Sequence, residues 1–189
     1  ATRKAVEDVC AALQEHGYAA TRYHAGLTDQ ERQKNQEDFL YDRASVMVAT
    51  NAFGMGIDKS NVGFVIHYNM PKDLESYYQE AGRAGRDGQP AECFLLYNGQ
   101  DVGLNRFLFS RSEENQDLDE KALEQLTQLN ERRLQAMTNY CHTTACLREY
   151  ILHYFGEHAP TQCGNCYNCT GHFQQVDITS EGRDILSCV

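Results

Sequence analysis

A chain of 189 residues with 41% hydrophobic content has room for one large domain or two small ones around a real core. Its formal net charge of −10 is spread along the chain, with 11 basic against 15 acidic residues up to position 106 and 6 against 12 beyond it, which excludes coating nucleic acid by bulk charge. No apolar run approaches the roughly 20 residues of a membrane helix, no secretory leader pattern opens the chain, and eight cysteines in that setting predict an intracellular compartment with thiols free or metal-bound.

Lys4 to His16 carries Val6, Val9, Cys10 and Leu13 at helical spacing, with Gly17 as the stop. Tyr18 to Tyr23 reads as a strand. Thr28 and Glu31 have capping-box spacing and open a helix that runs to about Leu40. Ser45 to Ala49 and Gly63 to Tyr68 are apolar strands. Pro71-Lys-Asp73 opens a helix through about Ala81, and Ala91 to Tyr97 is a further strand. Strands separated by helices predict an α/β fold with a covered parallel sheet. The chain starts directly at a helix, so an N-terminal strand is expected to be missing. From about Phe107 the strand pattern stops. Helices are predicted over Leu118 to Leu129, Arg132 to Cys141 and Cys146 to Phe155, the last ended by Gly156. The acidic stretch from Glu113 to Glu120 reads as a solvated linker or helix start. The predicted domains are therefore 1–106 (parallel-sheet lobe), 107–173 (small helical domain) and 174–189, where something new begins. Cys10 and Cys93 are expected in the core.

Four cysteines carry the clearest chemistry. Cys163, Cys166 and Cys169 are spaced two residues apart, and Cys146 lies 17 positions before Cys163. Such a knuckle turns two thiolates onto one centre, and a distant thiolate closes a tetrahedron. Four thiolates leave no open position, so the metal is structural. Zinc fits, and an iron–sulfur cluster fits the spacing as well. Cys141, His142, His153, His158 and His172 are rival ligands, with Cys141 the nearest.

Three loops stand out in the first half. Gln79-Glu-Ala-Gly-Arg83-Ala-Gly-Arg86-Asp-Gly88 places two guanidinium forks among glycines, which suits a polyphosphate and also an ordinary surface turn. Thr50-Asn51-Ala-Phe-Gly54-Met-Gly56-Ile-Asp58-Lys59 follows a strand, where glycines can offer backbone N–H groups to phosphates. Asp58 stands where a P-loop would need glycine, so that motif fails. His24-Ala-Gly26-Leu27 follows another strand.

Taken in order, these three loops resemble the second RecA-like lobe of superfamily two helicases. Gln79-Glu80 ahead of the arginine run is similar to the RecQ family. Cys146-Leu-Arg-Glu-Tyr-Ile-Leu-His-Tyr-Phe-Gly156 with the cysteine knuckle resembles the RecQ zinc-binding region. The resemblance covers roughly residues 1–170 and implies a RecA-like lobe, a helical domain holding structural Zn²⁺ on Cys146, Cys163, Cys166 and Cys169, and the start of a winged-helix domain. It implies that Arg86 is an arginine finger and that Arg83 beside it senses the γ-phosphate or couples hydrolysis to motion. Gln79, Gly56 and Asp58 would serve the ATP site and its coupling between lobes. Thr50, Asn51, His24 and Gly26 would meet the phosphates of a tracked DNA strand. ATP and Mg²⁺ belong to the intact parent, whose first RecA-like lobe supplies a P-loop and an acidic pair that this chain lacks. The implied partners are single-stranded and partly duplex DNA and that first lobe, with no membrane. The implied activity is 3′-to-5′ unwinding in repair and recombination, in the cytoplasm of a bacterium or the nucleus of a eukaryote. The residues alone also fit a zinc-stabilised nucleic-acid- or protein-binding module without motor activity.

Overall fold

Thr2 starts the first helix by accepting a hydrogen bond from Ala5 N–H at 3.2 Å, which satisfies a donor that the first turn leaves unpaired. The computed structural model describes residues 2–50, 59–113 and 119–171, with Thr179, Ser180, Arg183 and Ser187 beyond them. Asn51, Gly54, Gly56, Asp58, His172 and most of the expected winged-helix start lie outside the described residues. The chain divides into two compact units, Ala1–Thr138 and Asn139–Val189.

In the first unit, α1 (Arg3–Glu15) buries Val6 and Cys10 on one face. Gly17, at φ 84°, takes the left-handed turn that ends it, a conformation glycine adopts without strain. β1 (Ala20–Tyr23) follows. Then comes α2 (Asp29–Leu40), whose Thr28–Glu31 capping box forms as expected, with Glu31 N–H on the Thr28 hydroxyl at 3.2 Å and Thr28 N–H on the Glu31 carboxylate at 2.9 Å. β2 (Val46–Ala49) runs parallel to β1, with Ala20 opposite Val46 and Tyr23 opposite Ala49. β3 (Phe64–His67) and β4 (Glu92–Leu95) form a second parallel pair, separated in sequence by α3 (Leu74–Ala81). Asp73 caps α3, taking the Ser76 N–H at 2.7 Å. The expected α/β fold with parallel strands is present, as two two-stranded sheets among the described residues. Cys10 is buried as expected, whereas Cys93 is exposed, as are Phe64, Ile66 and Phe94 on the same strand pair, because no described element covers these side chains on the sheet faces from which they project.

The helices after β4 differ from expectation. α4 (Gly99–Glu113) occupies a stretch with no apolar periodicity. It docks through polar groups instead. Asp101, 6% exposed, accepts from the Asn69 side-chain amide and from Met70 N–H, each at 3.0 Å. Asn105 returns a bond to Met70 O at 3.2 Å. α5 (Glu120–His142) is one helix where two were expected. No glycine or proline stands near Asn130 to stop it. Leu134 and Met137 are fully buried, Arg106 pairs with Glu131, and Arg133 lies 3.2 Å from Glu75.

In the second unit, α6 (Leu147–Tyr154) has Cys146 as its N-cap and Phe155 as its C-cap, matching the expected span. α7 (Tyr167–Thr170) is a single turn carrying the last knuckle cysteine.

Candidate metal centre and arginine loop

The sulfur atoms of Cys146, Cys163, Cys166 and Cys169 all lie within 4.8 Å of one another. Cys163 Sγ is 3.9 Å from Cys169 Sγ, and Cys166 Sγ is 3.9 Å from Cys146 Sγ. A disulfide needs about 2.05 Å. A tetrahedron with metal–sulfur bonds of about 2.3 Å has edges near 3.8 Å, so the cage fits one zinc ion. A cluster of several irons would hold its thiolates farther apart. Of the rival ligands, Cys141, His142, His153 and His158 stand outside the cage.

Local structure explains how the sulfurs converge. Cys146 caps α6 and accepts from Glu149 N–H at 3.5 Å. Gly164, at φ 64°, makes the tight turn that lets Cys163 accept from Cys166 N–H at 3.2 Å. Leu147 N–H reaches Cys166 Sγ at 3.4 Å. Asn168 donates to the carbonyls of Thr143 and Ala145, both at 2.7 Å, and so clamps the knuckle onto the turn before α6.

The charges fit a cation as well. Burial raises the Cys166 thiol, but N–H donors from Leu147 and Cys169 outweigh it and hold it at about 6. The Gly164 N–H lowers Cys169, yet burial and bonding to the Cys166 and Cys146 sulfurs push it up to about 11. Four crowded thiols cannot all ionise alone, and a divalent cation removes that obstacle. When bound, zinc would tie α6 to the knuckle and supply no open site for chemistry.

The arginine loop is fastened at several points. Gly82 ends α3, and a Cβ there would sit 3.0 Å from Tyr78 O. Gly85, at φ 67°, donates its N–H to Val62 O at 2.9 Å, and Asp87 N–H reaches Ser60 O at 3.2 Å. Arg83 is half-buried, with its N–H on Glu80 O at 3.2 Å. Arg86 is exposed and donates from Nε to Gly82 O at 3.2 Å. Gln79 is exposed on α3. Under the helix, His67 Nε2 lies 2.9 Å from Glu80 Oε2 and its ring rests 5.0 Å from that of Tyr77.

His24 and Thr50 directly follow the paired ends Tyr23 and Ala49, so they share the carboxyl end of the first sheet, where parallel α/β sheets bind ligands. Thr50 is half-buried, and its N–H goes to Tyr23 O at 3.1 Å. His24 is buried, with Nε2 2.8 Å from Glu7 Oε1 and Nδ1 accepting from Gly26 N–H at 3.1 Å. Glu7 and Asn168 escaped the sequence reading. Glu7 lies 17 positions from His24, and nothing in helical periodicity marks it.

The family model for the helicase conserved C-terminal domain matches residues 1–88, and the RecQ zinc-binding model matches residues 99–170. The ATP-dependent DNA helicase RecQ of Bacillus subtilis is 50% identical over 189 residues, covering 100% of this chain and 30% of the relative. Its Haemophilus influenzae namesake is 39% identical over 189 residues, covering 100% of this chain and 29% of the relative. The chain thus spans about 30% of the length of these two curated relatives. A solved structure of S. cerevisiae Dbp5 bound to Gle1 shares the fold at a TM-score of 0.50, with 22% identity over 69% of this chain and 37% of that one. No described helix is long and apolar enough to cross a membrane.

Proposed function

We propose that this chain, which belongs to the RecQ family, is the C-terminal half of the motor core of an ATP-dependent 3′-to-5′ DNA helicase acting in repair and recombination. Its RecA-like lobe closes on a first lobe that binds ATP and Mg²⁺. Cys146, Cys163, Cys166 and Cys169 hold a structural Zn²⁺. Arg86 is the finger that reaches the transferred phosphoryl group, Arg83 senses the γ-phosphate, and Gln79, Gly56 and Asp58 couple the lobes. Thr50, Asn51 and the turn at His24 and Gly26 meet the phosphates of single-stranded and partly duplex DNA, without reading sequence. The work is intracellular, in the cytoplasm of a bacterial host.

The observation that carries this reading is the anchored arginine loop. Its backbone is tied to Ser60 and Val62 while Arg86 stands exposed. A fixed backbone carrying a planar fork is what stabilising charge on a phosphoryl group requires. The test is ATP turnover by the full-length protein. Arg86→Ala should lower DNA-stimulated turnover by on the order of a thousandfold while ATP and DNA affinities stay close to wild type, because the finger acts on charge that develops in the transition state. Arg86→Lys should rescue poorly. Near-normal turnover by Arg86→Ala would move the finger role to Arg83. Absence of any ATPase in the full-length protein would leave a zinc-stabilised binding module.

A further inference from the structure

The surroundings of His24 do not suit a side chain that reaches for phosphate. Its side chain is 6% exposed. Gly26 N–H can only donate, so Nδ1, 3.1 Å away, must offer its lone pair. The Glu7 carboxylate can only accept when ionised, and its bond with His24 is the chief cause holding it below the usual carboxylate range. Nε2, 2.8 Å from Glu7, must then carry the hydrogen. These two contacts select one neutral tautomer and occupy both ring nitrogens.

The same ring shapes the turn. His24 O accepts from Leu27 N–H at 3.2 Å, closing the backbone over the ring. A Cβ on Gly26 would lie 3.1 Å from His24 Nδ1 and 3.1 Å from Arg3 Cδ, so the turn packs directly on the imidazole. Arg22 Nε sits 2.7 Å from the second Glu7 oxygen as an ion pair without hydrogen-bond geometry. Ala25 and Gly26 remain exposed at the tip. A chain of contacts thus runs from α1 through Glu7 and His24 to an exposed backbone turn.

We propose that Glu7 and His24 form a positioning pair that sets the Ala25–Gly26 turn against the phosphates of the tracked strand, and that neither His24 nitrogen touches the nucleic acid. This rests on the reading that the turn faces DNA. Glu7 is thereby a positioning residue for strand tracking, and His24 acts through the turn it supports.

Two measurements test it. Imidazole ¹⁵N NMR of the chain should show His24 with hydrogen on Nε2 alone, and Glu7→Ala should shift that signal together with the Gly26 amide. In the full-length protein, Glu7→Ala should raise the DNA concentration for half-maximal ATPase stimulation by about tenfold, the effect of losing one charge-assisted hydrogen bond. Turnover at saturating DNA should change less than about twofold, and Glu7→Gln, which keeps an acceptor oxygen, should recover most of the loss. His24→Asn should leave the salt dependence of single-strand affinity unchanged. A slope shallower by about 0.7, the value for one neutralised phosphate on a single strand, would make His24 a direct contact and overturn the proposal. A ring with hydrogen on Nδ1 would overturn it too. If Glu7→Ala moves the ring and Gly26 signals but not the DNA requirement, the turn does not face DNA and that underlying reading fails. If it moves neither, the pair itself is refuted while the DNA reading stands.

Discussion

Removing zinc should unfold the second unit and spare the first. Among the described residues beyond 138, Tyr140 and Cys146 are the buried apolar side chains. Burying two such groups contributes roughly 3–6 kcal/mol, before the ordering of the chain around them is set against it. A structural zinc ion contributes about 10–16 kcal/mol near neutral pH, so the metal outweighs the core severalfold. α6 and α7 have 8 and 4 residues, far below the length at which a helix persists in water. Chelation should therefore release one zinc per chain, melt both helices and abolish the packing of Tyr140 on Tyr150, whose rings lie 5.7 Å apart. Limited proteolysis with mass spectrometry would show this as new cuts between residues 143 and 171, while α1–α3 stay protected. Cys166→Ser should give the same pattern without chelator, since it removes the thiol held at about 6. If the metal-free chain resists cleavage there, or if metal analysis finds iron, the reasoning is wrong.

Two further outcomes follow from polar contacts. Asp101→Ala removes the acceptor for two donors around Met70, which is 3% exposed, and should destabilise the first unit by about 2–5 kcal/mol in urea titration; a loss below about 0.5 kcal/mol would mean that α4 is held by something else. Asn168→Ala frees the carbonyls of Thr143 and Ala145 and should speed zinc transfer to a chromogenic chelator by about 10–100-fold while leaving the zinc content at one per chain; an unchanged rate would refute the clamp.

What the sequence disclosed and what it hid divide along a physical line. The capping box at Thr28 and Glu31, the stop at Gly17 and the cysteine knuckle were legible because each is settled within a few residues, where spacing alone determines geometry. The break expected inside α5 was an error of weak evidence. Asn130 and Glu131 interrupt the apolar rhythm, but neither residue type ends a helix, and burial of Leu134 with Met137 carries it through. α4 was missed for the opposite reason. Its inward face repeats at helical spacing through Asp101 and Asn105, and a search for apolar periodicity cannot register a face built from polar groups.

The same blindness explains the candidate site. A histidine, an aspartate or an asparagine announces its chemistry in the sequence but not its partner. Glu7, Asn69 and Thr143 are chosen by the fold, at separations of 17, 32 and 25 residues from the groups they meet. In a chain this acidic, functional contacts must be made by a few well-placed groups rather than by bulk charge, so the buried polar pairs that fix a loop matter as much as the residues at its tip. That is the ground for the proposal that His24, expected from the sequence on a loop that meets phosphates, acts through Glu7 and the turn it supports. A residue whose donors and acceptors are all taken within the fold acts on a ligand only by setting the shape of what surrounds it.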